Sequence, residues 1–71
     1  MINLLKEKNV QLINEYEKRG DFKLVTKHKI IEQILERDNC FEELSFEQAA
    51  DILISLGVKD WKAAYVKLLS K

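Results

Sequence analysis

The sequence contains no proline, two glycines, one cysteine and one histidine in 71 residues. With glycine only at positions 20 and 57, it lacks the frequent turn chemistry an all-β domain needs. One cysteine excludes an intramolecular disulfide framework and a cysteine-built zinc knuckle. Two isolated glycines cannot form a phosphate-cradling loop. The Met1–Val10 segment has no apolar run longer than two residues, so no signal-peptide core is visible. No stretch approaches the roughly 18–20 apolar residues of a membrane span. Charge of one sign is also missing. Twelve Lys and Arg balance twelve Asp and Glu, which argues against a strongly cationic nucleic-acid coat or an acidic solvating tail.

Apolar residues make up 46% of the chain. That is a globular composition, and too apolar for disorder. The chain, at 8.4 kDa, is expected to be a complete small protein forming one helical domain over residues 1–71. The lone Cys40 suits a reducing, cytoplasmic compartment. Ten Lys against two Arg, with many Ile and Asn, suits an AT-rich coding genome such as a low-GC bacterium, a phage or a mobile element.

Helical periodicity dominates. Ile2, Leu5, Leu12, Ile13 and Tyr16 fall on one stripe at the 100° helical step. Asn9 lies within that stripe. The pattern predicts a first helix over 2–19, stopped by Gly20 in a left-handed conformation. Thr26 is read as the N-cap of a second helix over 27–39, with Ile30, Ile31, Ile34 and Leu35 as its apolar face. Ser45 and Gln48 have capping-box spacing and open a third helix over 46–56. Seven apolar residues spread widely around that helix predict a central element packed on two neighbours. Asp60 caps a fourth over 60–70, carrying Trp61, Ala64, Tyr65, Leu68 and Leu69, with Lys67 and Lys71 near its negative end. The fold class is all-α, a compact three- to four-helix bundle or orthogonal helical array.

Few residues invite chemistry. His28 lies between Lys27 and Lys29 and reads as an exposed side chain whose protonated form its neighbours disfavour. Cys40 reads as a part-buried structural thiol at the end of the second helix. The only base, His28, is twelve residues earlier and about 18 Å away along that helix, too far to generate a thiolate. The acids from Asp38 onward do not match a calcium loop. Cys40 would occupy its third position and Glu43 the sixth, where oxygen and glycine are required. No catalytic residue, cofactor, metal site or small-molecule substrate is expected.

Charge is distributed unevenly. Residues 1–29 carry seven Lys or Arg and four acids, a net +3; residues 30–56 carry one Arg and seven acids, a net −6; residues 57–71 carry four Lys and one Asp, a net +3. The acidic middle, with Glu42, Glu43, Glu47 and Asp51, is the candidate surface for a protein partner. The function expected is a non-enzymatic cytosolic interaction module: a regulator, adaptor or inhibitor. Homodimerisation is a further expectation. Asn9 in an apolar stripe can set the register of a helix pair, and Leu4 and Val10 lie off the main stripe, where a second subunit would cover them.

The alternative is a small DNA-binding regulator. Residues 46–70 resemble a helix-turn-helix unit, with Gly57 as the turn and Ile52, Leu56, Val58, Ala63 and Val66 at its buried positions. The resemblance implies that the last helix enters the major groove and that Lys59, Lys62 and Lys67 meet phosphates. Leu53 stands where the unit demands a small residue, and residues 58–71 contain no Arg, Asn or Gln to read base edges. Leu56-Gly57-Val58 is similar to the Met-Gly-Phe loop of ubiquitin-associated domains, over three residues only.

Overall fold

The computed structural model describes residues 1–69. Among these the chain is all-α, with five helices and no strand: α1 (Ile2–Arg19), α2 (Phe22–Leu35), α3 (Cys40–Glu43), α4 (Phe46–Ser55) and α5 (Trp61–Leu69). The extra helix relative to the sequence reading is the single turn α3. Ser70, the last residue of the final helix as read from sequence, and Lys71, placed near its negative end, lie outside the described residues. The chain divides into two compact units, Met1–Arg37 and Asp38–Lys71.

The first unit is an antiparallel pair of helices, α1 packed on α2. Gly20 adopts φ 75° and ψ 19°, a conformation that a Cβ would strain. Its amide bonds Glu17 O, and the Asp21 amide bonds Tyr16 O, so two carbonyls at the end of α1 are satisfied as in a Schellman motif. Asp21 then caps the next helix: its Oδ1 accepts from the Leu24 amide at 3.4 Å. Helix α2 therefore begins at Phe22. Thr26 is not its cap but an interior residue, its hydroxyl donating to the Phe22 carbonyl at 2.9 Å. Asp21 takes the role because it immediately follows the turn, leaving Phe22, Leu24 and Val25 free to form the first helical turn. The helix ends at Leu35 rather than residue 39.

Leu5 and Ile13 from α1, and Val25, Ile31 and Leu35 from α2, are buried, as are Asn9 and His28. Leu4 and Val10 are exposed.

In the second unit, α3 and α4 both pack on α5. Asn39 precedes α3 with φ 57°; a short polar side chain tolerates this region better than most. Cys40 thus opens α3 instead of ending α2, and it is buried. The capping box at α4 is fully formed. Ser45 Oγ accepts from the Gln48 amide at 3.2 Å, and Gln48 Oε1 accepts from the Ser45 amide at 3.1 Å. Gly57, with φ 79°, closes α4: its amide bonds Ile54 O and the Val58 amide bonds Leu53 O. Asp60 Oδ1 accepts from the Ala63 amide at 3.4 Å, as the sequence predicts for a cap of the last helix.

The buried stripe of α4 is Ala49, Ile52 and Leu53, with Leu56 just beyond its end. Phe46 and Ile54 are more than half exposed, at 53% and 55%. The wide apolar arc predicted to pack on two neighbours therefore leaves two large side chains facing solvent.

Candidate interaction surface

The four acids proposed from sequence sit on two elements. Glu42 and Glu43 belong to α3, Glu47 and Asp51 to α4, and all four are exposed. Extended backbone at Leu44 and Ser45 separates the pairs, so they do not form one continuous helical stripe. Within α4, Glu47 and Asp51 are four residues apart and Ile54 follows three later. That spacing places all three on one face.

Where the start of α4 meets α5 lies an aromatic cluster. Phe46 meets Trp61 with ring centroids 5.5 Å apart and Tyr65 at 5.5 Å, the latter edge-on at 76°. Edge-to-face geometry aligns the positive ring edge with a negative face. Trp61 and Tyr65 are half-buried. They pack against the Phe46 ring. Phe46 and Ile54 were missed as surface residues by the sequence reading. The available signal was the excess of apolar positions on α4 over what one packed face can cover.

The three lysines of the alternative reading are also exposed. Lys62 Nζ stands 5.6 Å from the Trp61 ring centroid, within cation–π range. Of the positions a helix-turn-helix unit buries, Ile52 and Leu56 are buried and Val58 is half-buried, but Ala63 and Val66 are exposed, Val66 at 61%. The face of α5 turned inward is instead set by Trp61, Ala64, Tyr65 and Leu68.

In the first unit the structure corrects the reading of His28. The side chain is buried, with 2% exposure, not a surface group. Asn9 Nδ2 donates to the His28 carbonyl at 2.8 Å, which fixes the amide orientation, because the reverse would oppose two carbonyl oxygens. Asn9 Oδ1 then faces His28 Nδ1 at 2.8 Å. An amide oxygen only accepts, so Nδ1 carries the proton and donates. The Tyr16 ring lies 5.3 Å from the imidazole. Burial, and secondarily the Lys27 charge, push the His28 pKa below its ordinary 6.5. Asn9 therefore sets the register of a helix pair within the chain, and its polar atoms are engaged there. Sequence periodicity marked Asn9 but not its partner, because a helix-pair register is invisible one segment at a time.

Among the described residues no cluster of His, Cys, Asp and Glu is arranged to hold a metal ion, and no helix is long and apolar enough to cross a membrane. No family model, curated protein or solved structure matches the chain.

Proposed function

We propose that this chain is a small non-enzymatic protein-interaction module of the cytoplasm, a regulator, adaptor or inhibitor that recognises a basic protein surface through α4. The observation that carries the reading is the exposed Glu47–Asp51–Ile54 face of α4, with Phe46 also exposed at the start of the same helix. Carboxylates steer and orient a cationic partner, and exposed aromatic and aliphatic side chains supply the desolvated contact that charge alone does not. Glu42 and Glu43 on α3 extend the negative field. The buried thiol is compatible with a reducing compartment.

The test is affinity capture with the full chain against the Glu47→Lys/Asp51→Lys variant and, separately, the Ile54→Asp variant. Both should lose the captured protein while keeping the helical far-UV spectrum. Capture unchanged in both variants removes α4 from the interaction. The DNA alternative, through Lys59, Lys62 and Lys67, is met by fluorescence anisotropy of a mixed-sequence duplex. Saturable binding that weakens steeply between low and moderate salt, and is reduced by Lys62→Glu, would replace the protein-partner reading.

A further inference from the structure

We propose that the basic surface fitted by α4 is the outer face of α5 on a second copy of this chain. The inference rests on the α4 reading above and names the partner of that surface.

Two exposed faces of the C-terminal unit have opposite charge and matching order. Along α4 the sequence runs acid, acid, apolar: Glu47, Asp51, Ile54. Along the turn into α5 and its outer face it runs base, base, apolar: Lys59, Lys62, Val66. Each set spans eight residues, seven steps along the chain, and all six side chains are exposed. For α4 the span corresponds to about 10.5 Å of helical rise, two turns that return to the same face. Lys62 and Val66 are one turn apart on α5, and Lys59 stands just before its cap, Asp60. Laid side by side in the same direction, the two faces pair Glu47 with Lys59, Asp51 with Lys62 and Ile54 with Val66. Leu69, one further turn along from Val66, continues the apolar end.

The charge pattern is wider than these six residues. Residues 38–56 contain five acids and no Lys or Arg; residues 57–71 contain four Lys and one Asp. Two copies in this arrangement bring the negative half of one against the positive half of the other. Like-charged halves face each other in any arrangement that stacks α4 on α4. The ammonium of Lys62 already leans on the Trp61 ring, a contact that holds it near the helix surface and that an exposed side chain exchanges at modest cost. A contact built of exposed ion pairs around small apolar anchors is salt-sensitive and weaker than an obligate dimer.

The test begins with the unaltered full chain. Sedimentation equilibrium across a broad loading range should show average mass rising from one chain toward two, with the rise suppressed by added salt. A mass of one chain up to millimolar loading overturns the proposal, while the α4 reading is judged independently by its own capture experiment. Charge reversal then assigns the faces. One variant carries Glu47→Lys and Asp51→Lys, the other Lys59→Glu and Lys62→Glu. Each alone should associate at least about tenfold more weakly, because like charges are now opposed across the contact. Mixed in equal amounts, the two should associate again, because every reversed face meets its reversed complement. Self-association that persists in both single variants, or a mixture that remains monomeric, overturns the pairing. Far-UV circular dichroism of each variant establishes that the helices are intact.

Discussion

Replacing Asn9 by Leu keeps the heavy-atom count and branching of the side chain, adds the bulk of two methyl groups at a fully buried position, and removes the side chain that bonds His28 Nδ1. The His28 carbonyl retains its place in the α2 ladder, so it is not orphaned. The imidazole N–H is. It loses its acceptor inside the α1–α2 interface, where it is buried, and leaving such a group unpaired costs about 1–3 kcal/mol. For a chain of this length total stability is about 4–10 kcal/mol, so the variant should lose a large part of it. His28→Leu alone should destabilise by a similar amount, because the Asn9 amide is then left facing apolar surface on its oxygen side. The double variant Asn9→Leu/His28→Leu is the decisive one. With both polar groups gone, no buried donor or acceptor remains unpaired, and the combination should recover at least about 1 kcal/mol relative to the sum of the single changes. Urea unfolding followed by far-UV circular dichroism reads all four proteins. Strictly additive losses would refute the account, since they would mean that Asn9 and His28 do not depend on each other.

Two further outcomes follow from the same structure. Because burial holds the folded His28 pKa below 6.5, the unfolded chain binds the proton more readily. Stability should be unaffected by this group above about pH 6.5 and fall as pH drops from there through the folded pKa; urea midpoints between pH 7.5 and 5 should show a slope that His28→Leu removes, and an equal slope in that variant would assign it to other groups. Gly20→Ala meets no neighbouring atom within 4 Å, yet it forces a side chain into φ +75°; the expected loss is about 1–2 kcal/mol, read as a lower melting temperature, and an unchanged value would show that the turn relaxes out of the left-handed region.

Local chemistry was legible in one dimension. The extent of α1, its stop at Gly20, the capping box of Ser45 and Gln48 and the cap at Asp60 depend on residues within a few positions of each other, so spacing alone determined them. The all-α class followed from helical periodicity and the scarcity of turn residues. The start of α2 was misplaced because both Asp21 and Thr26 are chemically competent caps, and the choice between them depends on how tightly the chain turns after Gly20. The single turn of α3 was missed because four residues, Cys40–Glu43, are too few to show a period.

Tertiary structure decided what faces inward. His28, flanked by two lysines, reads locally as a surface residue; it is buried because α1 presents Asn9 at the height of its imidazole. Phe46 and Ile54 read as core and are exposed because the packed side of α4 is already filled by Ala49, Ile52 and Leu53. Packing likewise turns Val66 outward, whereas it is the extended backbone at Leu44 and Ser45 that separates Glu42 and Glu43 from the Glu47–Asp51 pair. Sequence determined the helices because their bonds and caps close within a turn or two. Only the packing of one helix on another determined which apolar residues are left over, and the proposed interaction surface is made of those.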